Sequence, residues 1–375
     1  MASDQPANGS KSLWQSFYGS GFYDIVRQER TFLIFIGLSF FISGVVYDNP
    51  SIAMWVGFMF AGYSAIANDS IQTIGTFLGS NANKKWYVLW MFIGTIFLIT
   101  VTYSWLTYGG DVSHQRLTAK GFAEAPTSFT FLQIAAPIFL LIITRLRMPV
   151  STTFLILSCF SADLAGIESM LLKSMSGYFL AFIVAIIVWS LVSRVIRRTF
   201  KGEASFIWTI LQWITSGALW SVWLMQDMAN IAVYLPRQLS LGEFGFFAGF
   251  IFLGLGILFY LKGDRIQQVV TEKAFITDVR SATIVDFVYA FLLYYFKNVS
   301  VVPMSTTWVF IGLLAGRELA MSLTDKDGHG KPLKKTMKLI GKDVLYAGIG
   351  LAVSIALAIA INPVIKDELI AIIFG

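Results

Sequence analysis

Two aspartates stand beside carboxamides in the most apolar parts of this sequence. Asn68-Asp69-Ser70-Ile71-Gln72 interrupts one uncharged run and Gln226-Asp227-Met228-Ala229-Asn230 another, 158 residues further on (227 against 69). A carboxylate in hydrocarbon is costly unless a counter-charge accompanies it. A cation such as Na+ supplies that charge, and the amide oxygens of Asn68, Gln72, Gln226 and Asn230 lie next to the Asp or one helical turn away. Asp69, Asp227, Asn68 and Asn230 are therefore candidate Na+ ligands. The rival reading is structural: the amides bond between helices, and each Asp pairs with an arginine such as Arg237 or Arg317.

A second motif also occurs twice, 154 residues apart (303 against 149): Pro149-Val150-Ser151-Thr152-Thr153 and Pro303-Met304-Ser305-Thr306-Thr307. Proline suits the first turn of a helix and Ser or Thr the N-cap, so helices are predicted to begin near 149–151 and 303–305. Their free N–H groups and dipole ends attract anions. Ser151, Thr152, Thr153, Ser305, Thr306 and Thr307, with Asn68, Gln72, Gln226 and Asn230, are the candidate substrate-binding residues, enclosing a tetrahedral oxyanion. Plain helix capping is the alternative.

The elements that must carry these groups follow from composition. Of 375 residues, 56% are hydrophobic and 13% charged, with 33 Phe and 11 Trp, and the mean hydropathy is +0.69. Soluble domains carry about 25% charged residues, so a soluble enzyme and a disordered chain are excluded and a polytopic all-α membrane protein is expected. Apolar runs place spans at 31–48, 51–79, 86–107, 129–146, 150–172, 177–198, 206–236, 242–262, 281–297, 301–323 and 340–361. This gives about 11–12 transmembrane helices, some interrupted. No signal peptide is evident. His114 and His329 are the only histidines and Cys159 the only cysteine. Haem, zinc and disulfide chemistry are therefore not expected, and no cofactor is implied beyond a coupling ion.

Alternating the spans puts 21 of the 28 Lys and Arg on the N-terminal side, six opposite and Arg317 within a span. That asymmetry places the N-terminus in the cytoplasm and the C-terminus outside a plasma (inner) membrane. The basic run from 331 to 342 reads as attraction to anionic lipid rather than to nucleic acid. The expected organisation is a cytoplasmic segment 1–30, a first membrane repeat 31–172, a second 173–323, a basic cytoplasmic loop 324–342 and a C-terminal helix and tail 343–375. Trp208, Trp213, Trp220 and Trp223 read as a lipid-facing belt. Asp163, Glu168, Asp286, Arg317 and Glu318 lie in or near spans, where ion pairing, a third cation site or a gate are all open readings.

Each motif and its copy are five crossings apart. An odd separation makes the two halves antiparallel, and inverted repeats with a site at the midplane are a mark of secondary transporters.

On these motifs the sequence resembles the inorganic phosphate transporter family, which carries a Gly-Ala-Asn-Asp-x-Ala-Asn and a Pro-x-Ser-Thr-Thr motif in each half. Ala67-Asn68-Asp69 is similar to the start of the first copy and Asp227-Met228-Ala229-Asn230 to the end of the second. Gln72 and Gln226 depart, each standing where the motif has Asn. The resemblance implies Na+- or H+-coupled uptake of phosphate, with sulfate permeases among the relatives, and a homodimer. A channel or exchanger without cation coupling is the rival class. An intramembrane hydrolase would lack an activating histidine in any span, so no enzyme is expected.

Overall fold

The computed structural model describes residues 27, 29–119, 122–146, 148, 150–199, 202–261, 278–324 and 332–374, without the side chains of 70, 71, 194–199, 373 and 374. Pro149, His329, Lys120, Arg147, Lys201 and the basic residues of 1–26, 262–277 and 325–331 lie outside the described residues.

The helices are α1 (Arg30–Val46), α2 (Pro50–Asn68), α3 (Ser70–Ser80), α4 (Trp86–Thr107), α5 (Phe131–Arg145), α6 (Leu164–Thr199), α7 (Phe206–Ala232), α8 (Leu241–Tyr260), α9 (Val279–Val299), α10 (Thr306–Thr324), α11 (Leu333–Ile361) and α12 (Pro363–Phe374). A π turn, Thr153–Leu157, and a 3-10 turn, Ser158–Phe160, lie between α5 and α6. Local sequence sets the starts. Asn49 caps α2 with Pro50 in the first turn, Thr130 and Gln133 form a capping box on α5, Ser240 and Glu243 one on α8, and Asp278 caps α9.

Among the described residues, α2, α4, α8, α9, α11 and residues 164–193 of α6 are long and apolar enough to cross a membrane. The bundle turns apolar surface outward: Ile34, Leu38, Phe41 and Val45 form an exposed stripe along α1.

Side-chain contacts give the direction of each helix. Gly57 near the start of α2 meets Tyr234 just beyond the end of α7, while Asn81 after α3 bonds Gln212 near the start of α7 at 2.8 Å. The two therefore run antiparallel. So do α4 and α8: Trp86 meets Tyr260 at 5.3 Å, and Trp105 stacks on Phe244 at 4.8 Å. We call the end holding Asn81 and Arg280 basal and the end holding 108–130 and 233–240 apical. By contrast α6 and α10 run in the same direction, and their backbones touch. A Cβ on Gly312 would lie 2.3 Å from the Tyr178 carbonyl oxygen, and one on Gly316 the same distance from that of Phe182. This Gly-x-x-x-Gly pair lets two helices pack without side chains between them.

The structure corrects several boundaries. The expected span 51–79 is two helices broken at Asp69. The turn expected at 173–176 is instead interior to α6, where Ser174 and Ser176 bond back to Met170 O and Leu172 O. The chain turns at 161–163, where Asp163 Oδ1 accepts from Gly166 N at 2.8 Å. A repeat boundary at 172/173 therefore falls inside a helix. Lys334, Lys335, Lys338 and Lys342, assigned to a loop 324–342, lie on α11, and the 343–375 segment holds a second helix, α12. Trp220 and Trp223 are not a lipid belt. They are 2% and 1% exposed, stacked at 4.9 Å, with Trp220 Nε1 donating to Ile93 O, because the second motif turns this face of α7 inward.

Candidate functional site

The four motif copies, far apart in sequence, meet in one buried cluster. Asn68 ends α2, Asp69 sits in the break before α3, and Gln72 lies in the first turn of α3. Gln226, Asp227 and Asn230 lie near the apical end of α7. Ser151 and Ser305 are N-caps, as their sequence predicts: Phe154 N donates to Ser151 Oγ at 3.1 Å and Trp308 N to Ser305 Oγ at 3.2 Å. After Ser151 the chain runs apically, since Gln133 Nε2 donates to Cys159 O at 3.0 Å, whereas α10 runs basally. The two helix N-termini therefore meet head to head, so their positive ends add at one place.

The hydrogen bonds come in equivalent pairs. Thr153 Oγ1 donates to Met304 O (3.1 Å) and Thr307 Oγ1 to Val150 O (3.4 Å), the same position of the opposite copy. Asn230 Nδ2 donates to Thr153 Oγ1 (3.3 Å) and Gln72 Nε2 to Thr307 Oγ1 (3.0 Å). Asp69 Oδ1 accepts from Asn68 Nδ2 and Asp227 Oδ1 from Asn230 Nδ2, each at 2.8 Å. The pairs relate the two halves as a two-fold axis would.

The unpaired atoms obey the same relation. Asp69 Oδ2 and Asp227 Oδ2 have no partner, and neither do Gln72 Oε1 and Asn230 Oδ1, the amides three residues after each Asp. Gln226 Oε1 is a fifth unpaired oxygen. Its counterpart, Asn68 Oδ1, accepts from Thr144 Oγ1 at 3.0 Å, while Asn68 Nδ2 donates to Asp69 Oδ1 at 2.8 Å. Both Asp residues are 1% exposed and lie near enough to repel each other. Buried acceptors without donors are costly, and clustered oxygens of this kind are what a hard cation binds. Among the described residues no three of His, Cys, Asp and Glu gather.

Neither arginine proposed as an alternative partner reaches the carboxylates. Arg237 donates to the carbonyls of Phe122, Glu124, Val233 and Leu235, and Arg317 pairs with Glu318 at 3.0 Å. Asp163 caps α6 and Glu168 is exposed. Three partners of the cluster had no signal in the sequence, being single hydroxyls in apolar helices: Thr144, Ser174, whose Oγ accepts from Ser305 N (2.8 Å), and Tyr289, whose hydroxyl donates to Thr306 O (3.0 Å).

A cationic lid closes the apical end. Arg116 donates to Met225 O (3.4 Å), Lys297 O (3.1 Å) and Ser300 O, tying the 108–130 loop to α7 and to the strap that leads into Ser305. Lys173 adds bonds to Ser300 O (2.8 Å) and Val302 O (2.6 Å). His114, in the left-handed region at φ 51°, is buried beside this lid with Nε2 unpaired, and burial pushes its imidazole down to about 4.

These features define a polytopic helical membrane protein. The chain is similar in structure to a solved sodium-dependent phosphate transporter, with a TM-score of 0.56 and 18% identity over 82% of this chain and 98% of that one. No family model matches the chain, and no curated protein matches it in sequence. The likeness shows a shared fold.

Proposed function

We propose that this protein is a cation-coupled secondary transporter that takes up inorganic phosphate by alternating access, with Na+ as the coupling ion. The observation that carries the reading is the paired set of unpartnered oxygens, Asp69 Oδ2 with Gln72 Oε1 and Asp227 Oδ2 with Asn230 Oδ1, one set in each half of the cluster. Each half offers one cation a carboxylate and an amide oxygen. The oxyanion is placed between the facing helix starts, where it exchanges the Thr153–Met304 and Thr307–Val150 contacts for its own and so couples occupancy to the separation of the halves. The antiparallel packing of α2–α3 on α7 and of α4 on α8 supports an inverted repeat, the architecture in which such sites alternate access.

Energetics require the coupling. With the inside negative, a divalent anion entering alone is opposed by about 4.6 kcal/mol at 100 mV. Two cations cancel that charge. We place the N-terminus in the cytoplasm and the protein in a plasma membrane on the charge asymmetry; a homodimer rests on the family resemblance alone. Phosphate is preferred to sulfate because its P–OH needs an acceptor, and the cluster has acceptors to spare.

The test is uptake of labelled phosphate and labelled sulfate into proteoliposomes with Na+ and H+ gradients imposed separately. Phosphate uptake should follow an inward Na+ gradient and be blocked poorly by sulfate. Sulfate uptake exceeding phosphate uptake would make the protein a sulfate permease, and flux independent of both gradients would make it a channel or exchanger.

A further inference from the structure

A third carboxylate lies inside the bundle, outside all four motifs. Asp286 on α9 is 0% exposed, and its oxygens accept from Thr76 Oγ1 on α3 (2.6 Å) and Ser216 Oγ on α7 (2.5 Å). Ser216 accepts in turn from Gln212 Nε2 at 3.0 Å, and Gln212 Oε1 accepts from Asn81 Nδ2 at 2.8 Å, at the basal end. Thr76 follows Gln72 by four residues on α3, which sets it about 6 Å to the basal side of Gln72, and Ser216 precedes Asp227 by eleven on α7, about 16 Å.

Asp286 differs from Asp69 and Asp227 in what its oxygens do. Each of those has an oxygen with no partner; Asp286 has none. Each oxygen already accepts one hydroxyl bond, so, unlike Asp69 and Asp227, Asp286 holds no buried oxygen that lacks a donor. Among the described side chains no cation pairs with it. On α9 itself Arg280 binds Asp278 at 2.6 Å; on α10 Arg317 pairs with Glu318; on α6 Lys173 bonds backbone carbonyls; on α7 the charged residue is Asp227, in the motif cluster; α3 carries no charged residue. A proton neutralises this charge with one small rearrangement: the hydroxyl of Thr76 turns, the carboxyl O–H donates to the oxygen that had donated to it, and the Ser216 bond stays as it is.

We propose that Asp286 is a proton-binding site on the basal side of the cation cluster, and that its protonation gives transport a pH dependence separate from its Na+ dependence. The second half of this inference rests on the transport reading above; the first does not.

Infrared spectra of the full-length protein in lipid nanodiscs, recorded over a pH titration, test the first half. A carboxylic-acid C=O band that weakens as pH rises should vanish in Asp286→Asn, persist in the Asp69→Asn, Asp227→Asn double variant, and return at a shifted frequency in Asp286→Glu. A band unchanged in Asp286→Asn overturns the proposal, and recovery in Asp286→Glu excludes misfolding as the cause of its loss. In proteoliposomes, Asp286→Asn should flatten the pH profile of labelled phosphate uptake while leaving its Na+ dependence intact. An unaltered profile overturns the transport role. Native protein that moves no phosphate while keeping the Asp286 band overturns the transport reading and leaves the proton site standing.

Discussion

The two copies of the cluster share equivalent threonine hydrogen bonds on different backbones. In the first, the helix carrying the aspartate is broken at Asp69, and Thr153 opens a π turn followed by a 3-10 turn. In the second, Asp227 sits within an unbroken 27-residue helix and Thr306 opens a 19-residue one. Side-chain chemistry has been held equivalent while the chain beneath it differs. The first copy has fewer regular backbone bonds near its site, so it is the half with the lower cost of rearrangement. The second packs by direct backbone contact between α6 and α10 and serves as the frame.

That contrast can be broken most severely at the frame. Gly312→Val puts a side chain where 2.3 Å separates a Cβ from the Tyr178 carbonyl oxygen, so the helices must part. The expected outcome is loss of folded protein in a fluorescence-detected size-exclusion profile, with Gly341→Val, which meets nothing within 4 Å, near native. A native profile for Gly312→Val would show that the second half is no more rigid than the first.

The next effect is chemical. Asp69→Asn and Asp227→Asn each remove one charge at nearly constant shape, and each should abolish Na+-driven uptake while the protein remains folded. Equal loss supports two equivalent cation sites. If one variant transports normally, the pairing of the unpartnered oxygens does not correspond to pairing of function.

The caps give a finer comparison. Ser151→Ala and Ser305→Ala each lose an N-cap worth about 1 kcal/mol, about a fivefold change in an equilibrium constant. In the regular helix α10 that loss should appear mainly as a lower melting temperature. In the irregular first copy it should appear mainly as weaker phosphate binding by isothermal titration calorimetry. The reverse assignment would overturn the frame-and-mover distinction.

A separate effect, confined to acid pH, lies at the apical lid. Burial lowers the His114 pKa from 6.5 to about 4, so the unfolded chain binds more protons between those values. Stability is therefore fully present above about pH 6.5 and declines as the pH falls toward 4, by roughly 3 kcal/mol at most. Thermal melts of the native protein should show this decline and those of His114→Gln should not.

The buried polar cluster was legible in the sequence because a few polar groups stand out against hydrocarbon. Asp69 and Asp227, their amides and the two Ser-Thr-Thr segments were identifiable since each carries a cost that an apolar span does not accept without a use, and the same physics located both N-caps. The count of crossings did not hold: α5 enters from the apical end and the chain after Ser151 returns to it, with Gln133 bonded to Cys159, so the expected spans 129–146 and 150–172 begin as a hairpin and only the opposed directions of α2–α3 and α7 agree with the expectation. One turn was also misplaced: Ser174-Met175-Ser176-Gly177 has turn-like residues, but serines that bond back to their own helix and a glycine against Val309 belong equally to a packed helix. Local composition carries no information on which of those two uses applies.

What the chain could not reveal one residue at a time was partnership. Trp220 and Trp223 have the composition of a lipid belt and are core because α7 turns its polar face, and them with it, inward. Thr144, Ser174 and Tyr289 are ordinary in sequence and reach the cluster because helices from distant parts of the chain converge there. Asp286 was visible as a charge in a span, but its meaning depends on Thr76 and Ser216, more than 60 residues away on other helices. Composition fixes which groups need a partner; three-dimensional packing chooses the partner, because hydrogen bonds are made between neighbours in space.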